Sequence, residues 1–596
     1  MQKYSVNQHL IETILAWVNS GEIAIPEIQR PFVWDSSKVR DLMDSLYQGY
    51  PIGYVIAWRN PNVKLKDGSL SEGKKVLIDG QQRVTALTAG ILGQYVINKN
   101  YQRVKIKIAF NPIEERFEVQ NPAILKDKVW LHDIVDAFSG KISLLKLVRD
   151  YLAQNPDVDE DLIENSFSRL ISIVKKPIGM IELAPELDIE TVTEIFIRIN
   201  SKGVVLSQAD FAMSKIASDT ENGGNELRKA IDYFCHLAIS PEFHKQIVDN
   251  DKDFAKTDFF QKMSWLKTEN EDLYDPSYND LLRVAFTSQF SRGRLSDLVS
   301  LLSGRNFETR SYETEIAEQS FLKLKNGVYN FINETNFKRF LMIVKSAGFI
   351  SPKLIRSQNA LNFAYIVYLK LKELGVNSVA IETYVRKWLV YSILTGRYSS
   401  SPESMFDYDI KQISQKPFGE YLKEKEDGEL SEAFWNASLP QSLDTSVASS
   451  PYFNVFLASQ VKANDRGFLS KDVLVGDLIS LRGDIHHLFP KDYLSKNGLD
   501  RSKYNQIANY VYMQSEVNIK VGNKPPKDYF ELIKTQIIDD NKLVSGISSE
   551  QELLDNLKMN CVPTEIMEMS IDDYQEFLTL RRKLMAQKIK EYYNKL

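Results

Sequence analysis

Apolar positions in the first third of the chain alternate between two periods. Val39, Leu42, Met43, Leu46 and Tyr50 recur at helical spacing behind Asp35 or Ser36, either of which suits an N-cap, so the pattern predicts a helix over Ser36–Tyr50. Pro51 stops that helix, and Ile52 to Trp58 is a continuous apolar run of the kind that forms a buried strand. A polar, hairpin-like loop (60–75) leads to a short strand at Val76, Leu77 and Ile78. Val84, Leu87 and Ile91 then stripe a second helix that opens near Gln81. Residues 105–110 and 115–119 read as a further strand pair. From about residue 235 to 440 the helical period takes over, as in Leu361, Phe363, Ala364, Val367, Tyr368 and Leu371. Trp388 and Tyr391 of this region are assigned to the core, and the Ser-rich stretch 397–402 to a turn. A segment rich in Ser, Thr and Pro (439–451) marks the next boundary, and 572–596 is predicted to be a basic amphipathic helix.

The expected architecture is an α+β multidomain chain. It comprises an N-terminal α/β domain (1–235), a mostly helical linking domain (236–440) and a C-terminal domain (441–596). A length of 596 residues exceeds what one hydrophobic core supports, which agrees with this division. With 43% hydrophobic and 26% charged residues the chain has the composition of a soluble globular protein. It has no apolar run long enough to span a bilayer and no apolar segment of a secretory leader at its start. Cys235 and Cys561 stand far apart and make neither a disulfide framework nor a zinc cluster, which points to a reducing, cytoplasmic setting. The formal net charge of −5 requires that any nucleic-acid contact concentrate its Lys and Arg locally. That argues against a constitutive tight DNA binder and leaves a regulated one open.

Two constellations carry chemistry. The first is Asp79, Gly80, Gln81, Gln82 and Arg83, placed at a strand-to-helix junction. Gly80 permits a tight turn, the first N–H groups of the helix point outward at the positive end of its dipole, and Arg83 adds a forked donor suited to phosphate. Asp79, at the strand end, is placed to hold a metal or orient a water; the plainer alternative is a polar turn whose Arg pairs with a nearby carboxylate. Gln29 and Arg30, between prolines and aromatics, and Arg198, Asn200 and Lys202, ahead of a Gly203 turn, are further polar loops that fit a shared anionic pocket. Ser207 is expected to cap the helix that follows. No Gly-x4-Gly-Lys-Ser/Thr sequence is present, so hydrolysis of a triphosphate here would not be of the P-loop kind.

The second constellation is the pair His486-His487 within Gly-Asp-Ile-His-His-Leu-Phe-Pro, two of only six histidines in the chain. Followed by Asn509, Asn518 and Lys520, it reads as a metal-dependent nuclease site. Phosphodiester cleavage needs an activated water, a Lewis acid and neutralisation of the leaving oxyanion. His487 is the candidate general base, and Asn509 the residue that orients it by fixing the intervening loop. His486 and Asn518 are the candidate ligands of one divalent ion, with Asp484, two residues before His486 on the same strand face, able to add a carboxylate. Lys520 and Lys524 are candidate contacts to the flanking phosphate, joined by Arg581, Arg582 and Lys583 of the terminal helix. Pro490 ends the strand, a helix is expected from about Asp492 to Lys496, and the whole would form a ββα-like shell.

These stretches resemble known families. The segments around Arg30, Asp79 to Arg83 and Arg198 to Asp210 are similar to those of the DUF262 domain, marked by Asp-Gly-Gln-Gln-Arg, which implies a ParB/sulfiredoxin-like fold. The His-His region resembles the DUF1524 domain, a His-Me finger (HNH, ββα-metal) nuclease. Together they resemble the modification-dependent (type IV) GmrSD-type restriction endonucleases, which defend bacteria against phage DNA. That resemblance implies binding and hydrolysis of a nucleoside triphosphate in the first domain, coupled to cleavage of modified double-stranded DNA by the last with Mg²⁺ or Mn²⁺. It makes Asp79, Gly80, Gln81, Gln82 and Arg83 the nucleotide motif, with Gln29, Arg30, Arg198, Asn200 and Asp210 supporting the pocket. Many HNH nucleases carry Asp where this chain has His486, and imidazole suits Mn²⁺ better than Mg²⁺, so the metal is left open.

Two other readings compete. One is a nucleotide-switched sensor or scaffold with a vestigial nuclease site; the other is a ParB-like, nucleotide-gated DNA clamp that does not cut. A homodimer is compatible with each of these readings.

Overall fold

The computed structural model describes residues 3–24, 34–58, 75–97, 103–140, 142–187, 208–219, 222–269, 271–481, 485–539 and 544–596. Within these the chain is about 63% helical with a small N-terminal sheet. It forms two compact units, Met1–Arg228 and Lys229–Leu596.

The first unit is built on a five-stranded mixed sheet. Its strands are β1 (Tyr4–Leu10), β2 (Ile23–Ala24), β3 (Tyr54–Trp58), β4 (Lys75–Asp79) and β9 (Pro177–Leu183), in the order β1-β9-β3-β4-β2. β1 pairs antiparallel with β9 along its whole length, β9 runs parallel to β3, and β3 runs antiparallel to β4. Four further strands, β5 (Val96–Ile97) with β6 (Arg103–Val104) and β7 (Ile108–Asn111) with β8 (Arg116–Val119), make two short antiparallel ladders. One face of the sheet carries the core, where Val55, Ala57, Leu77, Ile178 and Met180 meet α1 (Ile11–Ser20), α2 (Ser36–Gln48) and α3 (Gln81–Ile91).

The predicted helix over Ser36–Tyr50 is α2, capped by Asp35, whose carboxylate accepts from the Lys38 N–H at 2.9 Å. It ends two residues earlier than expected. Gly49 takes a left-handed φ of 78° and closes the helix, so Tyr50 leaves the apolar stripe and is 64% exposed, while Tyr47 takes its place in the core. β1 and β9 are additions to the predicted set. β1 is an edge strand with almost no buried position, and its polar sequence hides it from any burial pattern.

The second unit is mostly helical. The Gln358–Glu373 helix buries all six of the predicted stripe residues, and Trp388 and Tyr391 are core. The turn at 397–402 holds a surprise, because Arg397 points inward to Asp409, which is completely buried and also accepts from Tyr398 and Tyr421 at 2.7 and 2.6 Å. The terminal helix, Tyr574–Asn594, is two-faced as expected, with one side buried and the other carrying exposed residues such as Lys583, but Arg581 lies on the buried side. Phe577, Arg581, Met585 and Ile589 recur every fourth residue and are all fully buried. Two short strands, β10 (Ile485–His487) and β11 (Tyr510–Tyr512), pair antiparallel, and the Ser515–Val521 helix follows β11 directly.

Candidate nucleotide turn and candidate nuclease site

In the first unit β4 runs into α3 through Gly80 alone. Gly80 has φ 87°, and a Cβ there would lie 3.2 Å from the Cα of Val55, so the turn takes glycine on both conformational and steric grounds. Among the described residues no side chain of the N-cap position caps α3. Val84 N–H is the first to return to the backbone, at 2.9 Å from Gly80 O. The Gln81 amide donates to Leu77 O at 2.9 Å and fastens the turn to the strand.

Arg83 is already engaged. Its Nη1 donates to the carbonyl of Tyr54, the first residue of β3, and its Nη2 lies 3.8 Å from Asp79 Oδ2. Gly53, with φ 85°, passes beneath the guanidinium; a Cβ there would be 3.4 Å from Nη1. The Arg–carboxylate pairing weighed as the plainer alternative is thus present, though both side chains stay about a quarter exposed and open to a further ligand. Asp210 is buried near the start of the Gln208–Ser218 helix. Gln29, Arg30, Arg198, Asn200, Lys202, Gly203 and Ser207 lie outside the described residues, as does Asp484 in the second unit.

In the second unit the histidine pair sits in β10. His486 faces Val511 and His487 faces Tyr510 across the ladder, so the two imidazoles take opposite faces of the ribbon. The ring of His487 packs edge-on to Tyr510 with centroids 5.1 Å apart, and its Nε2 lies 3.0 Å from Asn505 Oδ1. Burial pulls the His487 pKa below its ordinary value; the Asn505 bond raises it, and the positive fields of Lys491 and His486 lower it. The outcome is a neutral imidazole at neutral pH.

The loop that leaves β10 is clamped by Asn509, which is completely buried. Its Oδ1 accepts from Phe489 N–H at 2.8 Å, its Nδ2 donates to the carbonyls of Phe489 and Tyr504 at 3.1 and 3.3 Å, and its own carbonyl accepts from Leu488 N–H at 2.9 Å. The phenol of Tyr529 donates to Leu488 O at 3.0 Å. Asn518 lies half-buried on the helix after β11, and Lys520 and Lys524 are exposed near that helix's end.

Two of the terminal-helix candidates need correction. Arg581 is fully buried and donates Nη1 to Ala508 O at 2.8 Å and Nη2 to Asn560 O at 3.2 Å, so its cation cannot reach DNA and instead braces the turn that carries Asn509. Burial without a carboxylate pulls its pKa down to about 10. Arg582 is mostly covered and pairs with Asp444 at 2.6 Å, whereas Lys583 remains exposed. Sequence reasoning passed over Asn505, which stands four residues before Asn509, and Tyr54, the exposed residue that opens an otherwise apolar strand. Among the described residues no group of three or more His, Cys, Asp or Glu side chains converges on a metal position, and no helix is long and apolar enough to cross a membrane.

Residues 11–217 match the family model of the GmrSD restriction endonuclease, N-terminal domain, and the strand, turn and helix that hold Asp79 to Arg83 lie inside that stretch. Residues 11–217 thus carry the N-terminal domain of the GmrSD-type restriction endonuclease family, which suggests a function related to restriction endonucleases and implies DNA as a partner. The chain is also similar to an uncharacterized protein of Methanocaldococcus jannaschii, 23% identical over 96% of each chain.

Proposed function

We propose that this protein is a nucleotide-regulated, metal-dependent DNA endonuclease that restricts modified foreign DNA. The observation that carries the proposal is the order strand, strand, helix around His486 and His487, with the loop between them clamped by a buried asparagine, in a chain whose other end is a GmrSD N-terminal domain.

In this reading His487 is the general base. With its Nε2–H donating to Asn505 Oδ1, the lone pair stands on Nδ1, the atom that takes the proton from water. Asn509 and Arg581 do not touch substrate; they hold the loop and thereby the orientation of the imidazole. His486 and Asn518 supply one imidazole and one amide, donors that fit a divalent cation which keeps positions open for phosphate and water. Such an ion would supply Lewis acidity at the scissile phosphate. Lys520, Lys524 and Lys583, all exposed, are left to contact the DNA backbone.

In the first unit the start of α3, with no side-chain cap, and the tight Gly80 turn fit a triphosphate, because the leading end of a helix and its dipole favour an anion. Gly80, Gln81, Gln82 and Arg83 would hold the phosphates, and Asp79 would orient water or an accompanying metal. Gln29, Arg30, Arg198, Asn200 and Asp210 remain the proposed outer wall of that pocket.

The full-length protein should be tested on unmodified, hydroxymethylated, glucosylated and phosphorothioated plasmid, each with and without nucleoside triphosphate and with Mg²⁺ or Mn²⁺. Metal-dependent cutting of at least one modified substrate, absent in His487→Ala, is the expected result. Equal cutting by His487→Ala, or no cutting anywhere in the panel, would reject the nuclease.

A further inference from the structure

Tyr54 is out of keeping with its strand. The four residues after it in β3 are buried to 4% exposure or less, yet Tyr54, at the strand's first position, is 54% exposed. An aromatic ring left in water where the chain turns into a core strand is a poor use of apolar surface unless something covers it.

Its setting is specific. Tyr54 lies opposite Gly179 in the parallel pairing of β3 with β9, and a Cβ at position 179 would fall 2.5 Å from the ring's Cδ1 and Cε1. The ring therefore rests against the bare backbone of β9 and is held there by a glycine that no other residue could replace without moving it. Its remaining surface is open. The Tyr54 carbonyl, meanwhile, accepts from Arg83 Nη1 in the first turn of α3, so the residue that carries the ring is joined directly to the phosphate turn.

We infer that Tyr54 is the stacking platform for the base of a nucleotide whose phosphates lie on the Gly80 turn. The inference rests on the nucleotide reading of that turn and adds the half of the ligand which that reading leaves unplaced. The division suits the chemistry: N–H donors and a guanidinium take the anionic end, and a ring backed by glycine takes the flat apolar end. A ring face contacts any base without reading its edge, so the platform favours nucleotides over bare phosphate chains while discriminating weakly between bases.

Dissociation constants of the full-length protein for ATP, GTP and inorganic tripolyphosphate would test it by calorimetry. Tyr54→Ala should weaken both nucleotides about tenfold or more and leave tripolyphosphate within about twofold, and Tyr54→Trp should restore the nucleotides. Gly179→Ala, which displaces the ring without removing it, should act like Tyr54→Ala. Tyr95, 57% exposed beyond the far end of α3, is the control whose replacement by Ala should change nothing. Unchanged nucleotide affinity in Tyr54→Ala, or an equal loss for tripolyphosphate, would overturn the platform while leaving the phosphate turn in place. Failure of the unaltered protein to bind any of the three would remove the nucleotide reading itself.

Discussion

The two candidate sites are made in opposite ways. The turn between β4 and α3 is an arrangement of backbone: a left-handed glycine, a helix start with no side-chain cap and one arginine bound to a main-chain carbonyl. The His487 site is an arrangement of side chains assembled over long separations in sequence, with Asn509 clamping the strand exit, Tyr529 reaching back to Leu488, and Arg581 bracing Ala508. A backbone site is announced by a short contiguous motif. A side-chain site is announced only at its functional centre, and its supports are scattered through the chain where they look like ordinary polar residues.

Crossed substitutions should separate the two most sharply. His487→Ala should lower DNA cleavage by about 10²- to 10⁴-fold and leave nucleotide turnover intact, as measured on the same preparation. Arg83→Ala should weaken nucleotide binding roughly ten- to a hundredfold, the worth of a charge-assisted hydrogen bond. Loss of both activities in His487→Ala, or of neither, would break the division of labour, and unchanged nucleotide binding in Arg83→Ala would reject the phosphate turn.

Removal of a support should cost more in the side-chain site than in the backbone site. Asn509→Ala leaves Phe489 N–H and two carbonyls without their partner in a dry interior, and a loss of about 2–4 kcal/mol in unfolding free energy is expected from denaturant titration. Gly80→Ala forces a Cβ into a left-handed turn against Val55 and should cost about 1–3 kcal/mol. A larger loss at Gly80 than at Asn509 would invert the comparison.

The smallest effect concerns pH. Burial holds His236, whose ring packs on Phe243, below its ordinary pKa of 6.5. The folded state therefore binds fewer protons than the unfolded chain once pH drops under that value. Its contribution is intact above about pH 6.5 and is lost as pH falls through the depressed folded-state pKa. His236→Phe should flatten the acid side of a plot of melting temperature against pH; an unchanged slope would show that the ring's burial has no energetic weight.

What was legible in the sequence follows the same division. α2, α3, β3 and β4 could be read because each has a buried face with one clear period and a glycine, proline or aspartate at its end. Tyr50 was misplaced because the stripe continues in the sequence past the glycine that stops the helix. β1 was missed because an edge strand with exposed faces has no burial period to detect, and β9 because its pairing is set by partners distant in the chain. Arg581 was assigned to the surface on its charge alone. Its spacing from Phe577, Met585 and Ile589 placed it in the buried stripe, and the geometry outweighed the residue type.

That buried guanidinium has a consequence for synthesis. The carbonyl of Ala508, next to the asparagine that fixes the His487 loop, waits for a donor from the helix Tyr574–Asn594. A growing chain that already exposes both histidines still lacks this brace until residue 581 has left the ribosome.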